Sequence, residues 1–173
     1  MIIANHMLNE TDLDQIWMVV TPHNPHKKRH TLANNYDRLH LVNLAIDDHK
    51  HIKASDLEFG LPVPSYTIDT LTYAREKHPD KSFHLIMGGD NLKSLPKWKN
   101  YEKILEDYHI YVFQRPGSED AELKDHEHIH IVNAPLLSIS SSYIRNCIKS
   151  GKSIRYLVTD KVFEYLQSSP IYT

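Results

Sequence analysis

Two stretches hold residues whose types and spacing can act on phosphates and rings. The first reads Phe83-His84-Leu85-Ile86-Met87-Gly88-Gly89-Asp90-Asn91-Leu92, then Lys93-Ser94-Leu95-Pro96-Lys97-Trp98. A short apolar run that ends in two glycines, an Asp and a new helical pattern reads as a buried parallel strand delivering its C-terminal end to a ligand. Asp90 would stand at the strand's mouth, able to accept hydrogen bonds from a sugar or approach a metal, and Trp98 offers a flat face for a ring. A helix-capping Asp with Trp98 in ordinary packing is the plainer alternative. The second stretch is Ile139-Ser140-Ser141-Ser142-Tyr143-Ile144-Arg145. Hydroxyls at a helix start stand beside unpaired backbone N–H groups, with Arg145 one turn on from Ser141. Helix N-termini favour negative charge and a guanidinium fork suits phosphate oxygens, so this pattern describes an anion site. A serine run that only caps its helix is the alternative.

Lesser candidates surround these. Pro22 to His30 places His26, Lys27, Lys28 and Arg29 directly after a strand, although in isolation it reads as a solvated basic turn. Ser65-Tyr66-Thr67 opens a helix whose free N-terminus could hold a carboxylate. Arg115 ends a further strand and could reach a phosphate, or belong simply to the turn Arg115-Pro116-Gly117. His126, His128 and His130 alternate, and on an extended strand they would share a face able to ligate a metal. No nearby Cys completes a zinc pattern, and acidic neighbours favour a solvated edge. Cys147 reads as packing rather than a nucleophile, since no activating arrangement surrounds it.

The elements that must position these residues alternate. Residues 1 to about 10 read as a helix without a capping residue. Ile16 to Val20 is a strand stopped by Pro22, and Thr31 to His49 is a helix with Tyr36, Leu39, Val42 and Ile46 recurring. Ile52 to Ser55 is a short strand. From Pro64 a second amphipathic helix turns Ile68, Leu71 and Ala74 inward. After the strand at Phe83 to Met87, Trp98 to Tyr108 reads as one helix. Ile110 to Phe113 and Ile129 to Val132 are strands, separated by an acidic surface excursion from Ser118 to Glu127. Helices follow from about Ser142 to Lys149 and from Thr159, a plausible N-cap, to Gln167. This alternation predicts one α/β domain over 1–173 with a doubly wound parallel sheet.

At 173 residues the chain suits one core rather than two. A formal net charge of -2 excludes a global field drawing it to nucleic acid or a membrane surface. No run reaches the length of a membrane span. The single cysteine excludes an internal disulfide, and cytoplasmic location is the expectation.

Together the stretches resemble nicotinate-nucleotide adenylyltransferase, a nucleotidylyltransferase family of Rossmann-like fold. Pro22 to Lys27, Pro64-Ser65-Tyr66-Thr67 with Thr70-Leu71, Gly88-Gly89-Asp90 with Leu95-Pro96 and Trp98, Arg115-Pro116-Gly117, and Ile139-Ser140-Ser141 with Ile144-Arg145 occur in the family's order. The resemblance implies transfer of an adenylyl group from ATP to nicotinate mononucleotide, with Mg2+, giving deamido-NAD and pyrophosphate. It implies that Trp98 stacks on the pyridine ring, that Thr67 and backbone N–H groups near Lys99 hold the carboxylate, and that Asp90 faces the ribose. Arg115 would assist substrate binding. Ser141, Ser142 and Arg145 would hold ATP phosphates, with Arg145, Ser141 and Lys27 as the catalytic set. Its partners are ATP and nicotinate mononucleotide, without nucleic acid or membrane, and self-association into a homo-oligomer is left open.

One departure stands at the front. The family begins with a strand, a glycine loop and an H-x-G-H motif, whereas this sequence has no H-x-G-H and no glycine before Gly60. The resemblance therefore implies that the natural protein starts about twenty residues upstream, the length of a strand, its loop and a helix start. The first strand would lie between Ile16 to Val20 and Phe83 to Met87. Its apolar side chains, at about 1.5–3 kcal/mol each, rival a domain's net stability, so the 173 residues alone are expected to fold poorly, lack activity, or both. Alternatives are another nucleotidylyltransferase acting on nicotinamide mononucleotide or phosphopantetheine, a non-catalytic nucleotide-binding remnant, and a histidine-rich metal-binding module.

Overall fold

The computed structural model describes residues 1–23, 33–114, 121–135 and 139–172. Helix α1 (Ile2–Glu10) starts without a side-chain cap and buries Ala4 and Met7, which lie on one helical face. Strand β1 (Ile16–Val19) pairs in parallel with β2 (Ile52–Ser55), Ile16 opposite Ile52. The crossover between them is α2 (Asn35–Ile46). This helix begins later than its apolar pattern predicts, because the Asn34 side chain accepts from the Asp37 N–H at 2.9 Å and caps it there. Tyr36, placed by the pattern on the apolar face, is 73% exposed and meets Phe59 edge-on. Val42 and Ile46 instead face the sheet side while Leu41, Leu44 and Ala45 face the C-terminal helices, so α2 is covered on two sides.

A short 3-10 turn (Leu57–Gly60) precedes α3 (Thr67–Lys77), whose Ile68, Leu71 and Ala74 are buried as the spacing predicts. Strands β3 (Leu85–Gly88), β4 (Ile110–Phe113) and β5 (Ile129–Val132) form a second parallel sheet in the order β3-β4-β5. Ile110, Tyr111 and Val112 of the middle strand are buried. The helix expected from Trp98 to Tyr108 is present but shorter, as α5 (Tyr101–Asp107), and it follows α4 (Gly89–Ser94) and a 3-10 turn (Leu95–Lys97). Asn100 takes a left-handed conformation, φ 51°, which breaks helical continuity after Trp98. The acidic excursion is also less superficial than its composition suggests: Ala121 is buried and Leu123 packs on the core, while residues 115–120 lie outside the described residues.

Helices α6 (Ser141–Lys149) and α7 (Asp160–Ser168) close the fold around Cys147, Ile154, Val162 and Leu166. Cys147 is thus a packing residue. Thr159 occupies the cap position of α7, but its side chain makes no capping bond and its Oγ1 is buried without a partner among the described residues. No helix among the described residues is long and apolar enough to cross a membrane.

The strands are parallel throughout, yet they form two sheets, and among the described residues β1 and β3 exchange no ladder bonds. Side chains span this junction. Trp17 meets Phe83 edge-on at 5.3 Å between ring centroids. Beneath it Ala4 and Met7 of α1 share a cluster with Ile16, Ile52 and Tyr111, against which Met18 and Ile86 pack.

Candidate active site

In parallel sheets the loops that follow the strands gather at one edge, and ligands bind there. Among the described residues the candidates other than Arg145 and the histidines 126, 128 and 130 lie on loops or helix starts that follow a strand: 20–23 after β1, 56–67 after β2, 89–99 after β3, and 139–142 after β5. Arg38 of α2 fixes the first of these loops, donating from Nη2 to the Thr21 carbonyl at 2.8 Å and to Asn35 Oδ1 at 2.7 Å. The Ser65 N–H donates to the His23 carbonyl at 3.2 Å, tying that loop to the approach of α3.

Thr67 is the first residue of α3, and no side chain caps that terminus. The first-turn N–H groups are therefore available to an anion, with the helix dipole favouring it. Trp98 is half-buried in extended backbone just past the 3-10 turn and packs, as Tyr66 does, against one core cluster. Lys99 connects the two. Its Nζ lies 2.9 Å from Asp69 Oδ2 and 3.1 Å from Oδ1, and 4.7 Å from the Tyr66 ring centroid. The structure thus draws Thr67, Trp98 and Lys99 together, with the Lys99 side chain committed to Asp69.

Beneath α3, Thr70 Oγ1 donates to Glu58 Oε1 at 2.9 Å, and both residues are buried. The second Glu58 oxygen and Ser65 Oγ are also buried, without partners among the described residues. Asp90 is exposed at the second position of α4, immediately beyond β3, while Gly88 and Gly89 are buried.

At α6 the cap is Ser140, whose Oγ accepts from the Tyr143 N–H at 3.1 Å. Ser141 and Ser142 are therefore not consumed by capping and stand exposed. Arg145 donates to Ser142 Oγ at 3.1 Å, and its guanidinium carbon lies 5.9 Å from the Tyr172 ring centroid. The hydroxyl contacted is Ser142, three residues back, rather than Ser141. Lys27 and Arg115 lie outside the described residues.

The sequence reading missed Asp69, Glu58 and Arg38. Asp69 and Lys99 are thirty residues apart and carry no local motif; only the acidic residue in the first turn of α3 hints at a partner. Among the described residues, no three His, Cys, Asp or Glu side chains are grouped to hold a metal ion, which includes His126, His128 and His130.

Comparison with known proteins sets the class first. The cytidylyltransferase-like family matches residues 1–147. A Flavobacterium johnsoniae protein described as a probable nicotinate-nucleotide adenylyltransferase is 55% identical over 174 residues, covering 99% of this chain and 90% of that protein. A Bacteroides fragilis protein of the same description is 38% identical, covering 94% and 81%. The chain belongs to the nicotinate-nucleotide adenylyltransferase family. The Plasmodium falciparum nicotinic acid mononucleotide adenylyltransferase complexed with NaAD shares the fold, with a TM-score of 0.77 at 22% identity over 98% of this chain and 90% of that one.

Proposed function

We propose that this chain, as one nucleotidylyltransferase domain, transfers the adenylyl group of ATP to nicotinate mononucleotide, giving deamido-NAD and pyrophosphate for NAD synthesis in the cytoplasm. The observation that supports this reading is the Lys99–Asp69 bridge, which ties the residue after Trp98 to the first turn of α3, whose N-terminus has no side-chain cap. A pyridine ring bearing a carboxylate matches that pair: Trp98 takes the ring, and Thr67 with the first-turn N–H groups of α3 takes the charge.

In the reaction a phosphate oxygen of the mononucleotide attacks the α-phosphorus of ATP. The bond to the β-phosphate bridging oxygen breaks, and pyrophosphate leaves. The substrate is its own nucleophile, so the protein's work is alignment and charge stabilisation. Ser141, Ser142 and Arg145 hold ATP phosphates at the start of α6. Asp90 accepts hydrogen bonds from the mononucleotide's ribose. Lys27 and Arg115 are sequence-based candidates for further positive charge. Magnesium fits as a companion of the nucleotide, because it keeps waters and takes substrate phosphates rather than an all-protein cage. When bound, it would neutralise phosphate charge.

The test is Mg2+-dependent pyrophosphate release from ATP with nicotinate mononucleotide, compared with its amide. Preference for the acid is expected. Equal or greater turnover of the amide would remove the carboxylate from the account.

A further inference from the structure

The parallel register sets Leu85, Ile110 and Ile129 side by side, so the residues before them form a row across three strand starts. All three are histidines: His84, His109 and His128. Their rings touch in sequence, with centroids 5.5 Å apart for His84–His109 and 4.5 Å for His109–His128. His130, two residues into the same face of β5, closes the row. Its Nε2 lies 2.9 Å from His109 Nδ1, and its ring is 5.0 Å from both His109 and Tyr111. This end of the sheet is opposite the strand ends that carry the candidate active site.

A hydrogen bond between two imidazoles needs one nitrogen to donate and the other to accept. An imidazolium has no acceptor, so the bond cannot survive protonation of both rings. We propose that the His84–His109–His128–His130 row is a pH-sensitive latch: it joins β4 to β5 while His109 and His130 share one hydrogen bond, and it opens when both are protonated.

The surroundings agree in sign. Burial, then the neighbouring His128, His130 and His84, hold the pKa of His109 below the ordinary histidine value. Asp12 faces the row and opposes this, but it accepts a hydrogen bond from the Tyr111 hydroxyl, which occupies part of its charge. His126 packs on His128, whose Nδ1 bonds the Leu105 carbonyl. With the folded pKa of His109 below the unfolded one, its contribution is complete above about pH 6.5 and is lost as pH falls below it.

The experiment is chemical unfolding of the protein at a series of pH values between about 5 and 8, beside His109→Gln and a control, His40→Gln, away from the row. Each extra proton bound on unfolding lowers the folded-to-unfolded ratio by about tenfold per pH unit. The parent chain and the control should show this acid loss below about pH 6.5, and His109→Gln, which keeps an acceptor toward His130 but cannot be protonated, should lose up to about one proton of slope. An unchanged slope overturns the latch. NMR titration of the parent's histidine rings decides independently of the variant's folding. His109 titrating below the exposed histidines and in step with His130 supports the proposal; independent titration of both at the ordinary value overturns it.

Discussion

Lys99 Nζ and Asp69 Oδ2 stand 2.9 Å apart, and through this pair the turn carrying Trp98 is fastened to the first turn of the helix that begins at Thr67. Both side chains are more than two-fifths exposed, so the pair contributes at most about 1 kcal/mol to stability. Its value lies in position. Lys99→Met is expected to leave the unfolding midpoint nearly unchanged while raising KM for nicotinate mononucleotide several-fold, with a smaller change in kcat. Steady-state kinetics and a melt on the same preparation check this; unchanged KM contradicts it.

Arg145 joins Ser142 at the start of α6, and the proposed phosphate site depends on that fork. Loss of one charge-stabilising donor costs about 2.7–4 kcal/mol in comparable sites. Arg145→Ala is thus predicted to lower kcat/KM by about a hundredfold or more. Arg145→Lys should recover only part, since an ammonium cannot make two parallel bonds to phosphate. Full recovery by Lys would reduce the residue's role to bulk charge.

Glu58 and Thr70 hold the underside of α3 through one buried hydrogen bond. Thr70→Val keeps the shape and removes the donor, leaving a buried carboxylate oxygen without it. A loss of about 1–3 kcal/mol is expected by denaturant titration. Thr70→Ser, which keeps the hydroxyl, should lie closer to the parent. No loss in Thr70→Val would contradict the role of the hydrogen bond.

Three strands were legible because each is a short apolar run cut off by punctuation: Pro22 after β1, Gly88-Gly89 closing β3, Gln114-Arg115-Pro116 after β4. Helix limits were less so, for identifiable reasons. Asn34 captures a first-turn N–H and starts α2 several residues late, and Asn100 accepts a left-handed backbone that splits the segment after Trp98. In the site, the serine helix could be read locally, but the capping Ser140 could not be separated from its neighbours until the Tyr143 N–H was placed. Lys99–Asp69 and Glu58–Thr70 join segments distant in sequence, and only the fold brings them together. The division between β1 and β3 lies on the same level, since strand neighbours leave no mark on the local pattern.

The most direct test is Mg2+-dependent pyrophosphate release from ATP with nicotinate mononucleotide, measured beside the amide mononucleotide under the same conditions. The account predicts turnover, with the acid preferred over the amide. Absence of turnover with the acid, or turnover of the amide at an equal or greater rate, would contradict the function.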